Sequence, residues 1–117
     1  MRVLCGTDFS DRCEAAAEFG ALLAQRSGGD LTLVHVLDTR SLALGPAGVL
    51  DALDRAARDH LARMAERLRT LVASISVELP AGWPDEALVA EAKRHDNPLL
   101  ILPAIGRRDG AGVPLGK

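Results

Sequence analysis

The sequence predicts one α/β domain over residues 1–117, built on a doubly wound, mostly parallel sheet. Four short apolar runs alternate with three segments in which apolar residues recur every three or four positions, the spacing of an amphipathic helix. Each helical segment is long enough to return the chain to a parallel neighbouring strand. With 117 residues, 48% of them hydrophobic, the chain has the apolar material for a single core.

The first strand and the turn after it organise this prediction. The apolar run from Val3 to Cys5 is followed at once by Gly6, a polar pair and a helical pattern, so we expect a strand, a turn and a helix in direct succession. In an open α/β sheet, ligands bind in the crevice at the carboxyl ends of the strands. We therefore expect Asp8 and Ser10 to lie in that crevice.

The first helix is predicted to begin at residue 10 or 11. Ser10 or Asp11 is the expected N-cap, and Asp11 and Glu14 have the capping-box spacing, in which each residue satisfies a free N–H of the other. Gly28 and Gly29 predict the end of the helix, because glycine adopts the left-handed conformation readily. The expected buried face consists of Ala15, Ala16, Phe19, Leu22 and Leu23.

The next two elements are a strand and a long helix. Residues 31–37 are almost all apolar, which is typical of a parallel strand covered on both faces, and His35 within this run is interpreted as a core histidine. Residues 38–48 contain Pro46 and two glycines and predict a loop. Residues 50–72 carry apolar side chains at helical spacing and predict an amphipathic helix.

The last elements are an edge strand, a short helix and a buried strand. Residues 75–79 alternate apolar and polar side chains, as in a strand at a sheet edge. Pro84 predicts the first turn of the third helix, which ends before Pro98. Residues 99–102 form the most apolar run of the chain and predict a fully buried strand. Residues 103–117 are glycine-rich and show no periodicity.

Charge, hydropathy and cysteine usage exclude several classes of function. The net charge of −2 gives no reason to expect nucleic acid or an acidic membrane surface as a partner. No apolar run approaches the roughly 18 residues of a membrane span, and no signal-peptide pattern precedes the first strand. The two cysteines make a poor disulfide framework, which predicts a reducing cytoplasm. His60 and His95 show no metal-ligand spacing with each other or with the two cysteines, so no metal site is expected.

Three motifs, taken in order along the chain, resemble the universal stress protein family. They are Thr-Asp-Phe-Ser at residues 7–10, Leu-Val-His-Val-Leu-Asp at residues 33–38 and Gly-Trp-Pro at residues 82–84. The resemblance covers nearly the whole chain. It implies a Rossmann-like sheet of the adenine nucleotide alpha hydrolase type, a role in the stress response and, as in the nucleotide-binding members of the family, a site for ATP.

The resemblance also implies a set of ligand-binding positions. Asp8 matches the aspartate near the adenosine, and Val36 matches the valine that packs on the adenine, while Gly6 replaces a common proline. The family's phosphate loop would place backbone N–H groups against phosphate oxygens. Gly106 and Gly116 keep the spacing of two glycines in that loop. The implied set is Gly6, Thr7, Asp8, Val36, Gly106, Gly116 and Lys117.

The phosphate loop departs from the family pattern at two positions. Pro103 stands in place of the first glycine and removes an N–H donor, and Lys117 stands where serine or threonine is expected. We therefore expect weak binding of ATP between the ends of the first and fourth strands. Two alternatives are a stress protein that binds no nucleotide and acts through dimerisation and protein partners, and a slow nucleotide hydrolase.

The expected sheet is truncated at its C-terminal end. The family's sheet ordinarily gains a further strand and helix after the phosphate loop, whereas this sequence stops at Lys117. Residues 99–102 would then form an unprotected edge, which promotes association. The sequence predicts a homodimer, or a cover supplied by a partner domain.

Other motif matches lack the structural setting that their chemistry requires. Residues 111–117 resemble a P-loop and residues 110–116 a dinucleotide fingerprint, but neither segment joins a strand to a helix. A flavodoxin-like redox domain needs aromatic residues around its flavin, and the chain has no tyrosine and one tryptophan. No serine–histidine–aspartate or paired-carboxylate set is consistent, so no catalytic residue is predicted.

Overall fold

A computed structural model of the protein describes residues 1–38 and 48–102. In that part of the chain, strands and helices alternate in the predicted order, with two additional short strands. The elements are β1 (Arg2–Gly6), α1 (Asp11–Ser27), β2 (Asp30–Val34), β3 (Leu37–Asp38), α2 (Val49–Leu68), β4 (Ile75–Glu78), β5 (Ala81–Gly82), α3 (Pro84–Lys93) and β6 (Leu99–Ile101).

The main sheet has four parallel strands in the order β4-β2-β1-β6. From β1 the chain proceeds outward through β2 to β4, and it then crosses to the other side of β1 to form β6. The direction of winding therefore reverses between β1 and β6, and the predicted doubly wound α/β fold is confirmed. Such a reversal opens a crevice at the carboxyl ends of the two strands.

The predicted strand over residues 31–37 is divided into β2 and β3. β3 pairs in parallel with β5 in a separate two-stranded sheet. The segments that follow β2 and β4 therefore remain side by side after the main sheet ends. The His35 N–H donates to the Glu78 carbonyl at 3.1 Å, and the Leu37 N–H donates to the Pro80 carbonyl at 2.8 Å. Because Pro80 has no N–H to donate in return, the ladder is interrupted at this point.

The core lies between the sheet and the two helices α1 and α2. Both helices cover the same face, because both crossovers run in one direction along the sheet. Alternate residues of β1 and β2 point into this core, where they meet small side chains of α1 and larger ones of α2. Its buried members include Val3, Cys5, Leu31, Leu33, Ala17, Ala21, Ala24, Leu61, Met64, Ala65 and Leu68.

The buried face of α1 differs from the predicted one. The helix buries Cys13, Ala17, Gly20, Ala21 and Ala24, whereas Phe19 is 57% exposed and Leu22 is 40% exposed. The reason is close packing on the sheet: a Cβ added at Gly20 would lie 3.4 Å from side-chain atoms of Leu31 and Ile101. The larger apolar residues therefore occupy the neighbouring stripe of the helix.

Helix α3 packs on the opposite face of the sheet. Leu4 is fully buried on this face, and the Leu88 side chain lies 3.5 Å from the position of a Cβ built at Gly6. The face also carries a polar row across three strands, in which the Thr32 hydroxyl bonds the Arg2 guanidinium at 3.0 Å and the Ser76 hydroxyl at 2.9 Å. The buried Thr32 hydroxyl is therefore satisfied by its neighbours.

The two outer strands of the described sheet are β4 and β6. β4 has the predicted edge position. The prediction that residues 99–102 are fully buried is wrong, because Leu99 is 39% exposed, Leu100 is 37% exposed and Leu102 is 50% exposed. In the described part of the chain β6 pairs with β1 alone, so no second strand covers its other edge. None of the described helices has the length and hydropathy that crossing a membrane would require.

Candidate functional site

The turn between β1 and α1 lies at the topological switch point of the sheet. Thr7 holds it with one backbone and one side-chain hydrogen bond. The Thr7 N–H donates to the Val34 carbonyl at 2.9 Å, which extends the pairing of β1 with β2 by one residue. The Thr7 hydroxyl accepts the Phe9 N–H at 3.0 Å. Phe9 itself has a φ of 68°, a conformation that non-glycine residues adopt only where their surroundings impose it.

Asp8 is exposed at the centre of this turn. Its Oδ1 accepts hydrogen bonds from the Ser10 N–H at 2.9 Å and from the Cys13 thiol at 3.0 Å. The hydrogen bond from Cys13 first, and then those from the hydroxyl and the N–H of Ser10, lower the pKa of Asp8 to about 2. Asp8 is therefore an ionised carboxylate at neutral pH, and it stands where the sequence predicted a ligand-facing aspartate.

The N-terminus of α1 is capped by Ser10, one of the two predicted residues. The Ser10 hydroxyl accepts the Cys13 N–H at 3.3 Å. The predicted capping box of Asp11 and Glu14 does not form, because Ser10 is the N-cap and Asp11 is already the first helical residue. Glu14 instead accepts hydrogen bonds from Arg67 Nη2 at 2.8 and 2.9 Å. Glu14 thus joins α1 to α2 and leaves the cap to Ser10.

Phe9 lies between two histidine rings. Its ring centroid is 4.2 Å from that of His35 and 4.1 Å from that of His60, and both pairs are stacked. The Nδ1 of His35 lies 2.7 Å from the Thr7 carbonyl, and since a carbonyl only accepts, this nitrogen donates. The stack connects the turn to the end of β2 and to α2. His35 has a satisfied ring nitrogen, as predicted, but it is half-buried beside the turn and is not a core residue.

Sequence reasoning missed this stack and the role of Cys13 beside Asp8. The three rings come from a turn, a strand end and a helix, so no spacing along the chain links them. Cys13 could have been found from its position: it is the third residue of a helix capped by Ser10, where side chains reach back toward the residues before the cap.

The structure places four of the predicted site residues at one edge of the sheet. Thr7 and Asp8 follow β1, and Val36, which is half-buried, follows β2 immediately after His35. Gly6 ends β1 beside β6, where an added Cβ would lie 2.8 Å from Leu102 Cδ2. Glycine at this position therefore allows Leu102 to approach the backbone of β1.

The other predicted residues, Gly106, Gly116 and Lys117, lie outside the described residues, as does Pro103. Their assignment to a phosphate loop stays a prediction. In residues 1–38 and 48–102, no group of three histidine, cysteine, aspartate or glutamate side chains is arranged to hold a metal ion.

The solved structures that resemble this chain include universal stress proteins. Universal stress protein UspA from Lactobacillus plantarum is 28% identical, with a TM-score of 0.82 over 99% of this chain and 85% of that chain. Protein Rv1636 from Mycobacterium tuberculosis H37Rv is 24% identical, with a TM-score of 0.70 over 99% of this chain and 80% of that chain. A universal stress protein solved in complex with cAMP is 23% identical, with a TM-score of 0.59 over 80% of this chain and 64% of that chain.

Sequence comparison points to the same family. No curated protein matches the chain. The sequence model of the universal stress protein family matches residues 1–117, so the match includes the turn at Asp8 and every element of the sheet. The chain therefore belongs to the universal stress protein family.

Proposed function

We propose that this stress-response domain binds an adenine nucleotide, with ATP as the first ligand to test, at the carboxyl ends of β1 and β6. The observation that carries the proposal is the Asp8 carboxylate, which is exposed, ionised and held by hydrogen bonds from Cys13 and Ser10 at the switch point of the sheet. Ligands of doubly wound sheets bind at this place because strand ends and helix N-termini leave a crevice there.

The described residues suit the nucleoside part of such a ligand. Asp8 supplies an acceptor for hydroxyl or amino groups, and Val36 supplies apolar surface at the same edge. The universal stress protein solved with cAMP has the same fold, which supports an adenine nucleotide as the class of ligand. The phosphate contacts would come from Gly106, Gly116 and Lys117, with Pro103 removing one donor, so we expect weak binding.

Isothermal titration with ATP tests this proposal on the wild-type protein and on two variants. Asp8→Ala removes the acceptor, and we expect it to weaken binding by about tenfold or more, since a hydrogen bond to a charged group contributes roughly 1.5–3 kcal/mol. Asp59→Ala, which removes the same charge from an exposed position of α2, should bind ATP as the wild type does. Absence of heat at millimolar ATP, or equal losses in both variants, would overturn the proposal.

A second proposal concerns assembly. We propose that two copies associate through β6, because Leu99, Leu100 and Leu102 expose apolar surface along one outer strand of the described sheet. Leu100→Lys should then shift light scattering from a dimer to a monomer. The control is Val77→Lys on the other outer strand, which is equally exposed at 37%. A monomeric wild-type protein across micromolar concentrations would contradict the proposal.

The cytoplasm is the compartment that we propose for the protein. Cys5 and Cys13 are both free thiols and both buried, which fits a reducing environment. Slow nucleotide hydrolysis is tested in the same titrations, by measuring phosphate release that scales with protein concentration and is lost in Asp8→Ala. Phosphate release with both properties would support hydrolysis, and its absence would leave binding alone.

A further inference from the structure

The Cys13 thiol lies directly beneath the turn that carries Asp8. Cys13 is 1% exposed, and its sulfur makes two contacts with the same residue. It accepts the Asp8 N–H at 3.2 Å and donates to Asp8 Oδ1 at 3.0 Å. One buried side chain therefore fixes both the backbone and the carboxylate of the exposed aspartate.

The Asp8 carboxylate is bonded within the turn and is also exposed. Its Oδ1 accepts from the Cys13 thiol and from the Ser10 N–H. The Ser10 hydroxyl also hydrogen-bonds the carboxylate. Since a carboxylate has about four acceptor sites and Asp8 is exposed, it can accept further hydrogen bonds from a bound molecule.

We propose that Cys13 is a positioning residue of the nucleotide site: it orients Asp8 so that the exposed carboxylate accepts hydrogen bonds from the nucleoside part of the ligand. This inference rests on the nucleotide binding proposed above. An exposed, ionised carboxylate attracts hydroxyl and amino donors and repels phosphate oxygens. The pair of Cys13 and Asp8 thus selects for the nucleoside, and the phosphates must be held by other residues.

Cys5 provides a matched control. It is also a fully buried thiol, but it lies within β1 and its sulfur contacts the Gly6 carbonyl at 3.8 Å. Burial, with a contribution from Cys13, raises the pKa of Cys5 to about 12, so it stays a neutral thiol. Cys5→Ala removes the same atoms as Cys13→Ala and leaves the contacts of Asp8 in place.

The first measurement needs no ligand. An NMR titration of the Asp8 carboxyl follows its pKa in wild type, Cys13→Ala, Cys13→Ser and Cys5→Ala. In the wild type and in Cys5→Ala we expect a pKa of about 2 for Asp8. In Cys13→Ala the pKa should rise toward the ordinary aspartate value, because the largest stabilising bond is lost, and Cys13→Ser should restore a low pKa because a hydroxyl both donates and accepts.

The second measurement compares nucleotides by isothermal titration. Two analogues, 2′,3′-dideoxy-ATP and purine riboside triphosphate, lack the ribose hydroxyls and the adenine amino group respectively. We expect wild type and Cys13→Ser to prefer ATP over one of them by about tenfold. Cys13→Ala should bind ATP about tenfold more weakly and lose that preference, while Cys5→Ala keeps it.

The outcomes separate this inference from the proposal on which it rests. An unchanged Asp8 pKa and an unchanged preference in Cys13→Ala would overturn the positioning role, even if ATP binds. A raised Asp8 pKa in Cys13→Ala with no heat from millimolar ATP in any variant would overturn nucleotide binding and leave Cys13 as the residue that orients Asp8. Equal losses in Cys13→Ala and Cys5→Ala would assign the effect to packing and contradict the inference.

Discussion

The turn after β1 and the strand β6, which pairs with β1, differ in the number of elements that hold them in place. The turn is tied to the end of β2, to α1 and to α2 through Thr7, Cys13 and the stacked ring of Phe9. β6 has three residues, pairs with β1 and exposes apolar side chains. The turn, at which we propose nucleoside binding, is therefore held from several sides, whereas β6, at which we propose association, has fewer neighbours.

The largest expected effect compares two leucines that are partners in neighbouring strands. Leu4 of β1 and Leu100 of β6 are paired in register, but Leu4 is fully buried and Leu100 is 37% exposed. We expect Leu4→Ala to lower the free energy of unfolding by about 2–5 kcal/mol, because it leaves a cavity. Leu100→Ala should cost about 1 kcal/mol or less in the monomer.

Urea unfolding of the two leucine variants gives this comparison directly. Measurements at low protein concentration keep any association through β6 from adding to the stability of the wild type. Similar losses in the two variants would mean that β6 is as well packed as β1, and the contrast between the two regions would be wrong.

The next prediction concerns the aromatic stack. Phe9→Ala removes both ring contacts, and we expect a loss of about 1–3 kcal/mol in the free energy of unfolding together with weaker ATP binding, since the turn loses its anchor to α2. Phe19→Ala is the control, because this phenylalanine of α1 is 57% exposed. It should change stability by roughly 0.5 kcal/mol or less. Unaltered ATP affinity in Phe9→Ala would show that the stack does not position the turn.

The smallest expected effect is the pH dependence that Asp8 contributes. Hydrogen bonds from Cys13 and Ser10 favour the ionised form and lower the pKa of Asp8 to about 2 in the folded protein, against about 3.9 in an unfolded chain. This contribution to stability is fully present above about pH 4 and is lost as the pH falls through about 2. Because Asp8 is exposed, solvent screening keeps the contribution small.

Acid unfolding of wild type and Asp8→Asn checks this sign. The stability difference between the two proteins should be constant above about pH 4 and should shrink on acidification below that value. If the stability difference between the two proteins grew as the pH fell, hydrogen bonds could not be stabilising the ionised form of Asp8.

The sequence was sufficient where local order along the chain decides the structure. The run from Val3 to Cys5, the following glycine and the Ser10 cap predicted strand, turn and helix, and with them the place of Asp8. The doubly wound topology followed from the alternation of elements and from the preference for short, regular crossovers.

The sequence was insufficient where contacts between distant segments decide. Hydrophobicity favoured Phe19 as a buried residue of α1, but the close approach to the sheet requires small residues such as Ala17 and Gly20. The apolar run at residues 99–102 suggested full burial, yet burial depends on neighbours that the run itself does not specify. The same limit applies to the stack on Phe9, whose partners come from β2 and α2.

An amide NMR titration of the wild-type protein with ATP tests nucleotide binding at Asp8. We expect the largest shift changes among the described residues on four amides at the crevice edge of the sheet, those of Thr7, Asp8, Ser10 and Val36. Amides of the polar row at Thr32 and Ser76, within β2 and β4 and away from the carboxyl edge, should stay unchanged. Shift changes confined to that row, or none at millimolar ATP, would contradict the claim that this universal stress protein domain binds a nucleotide at Asp8.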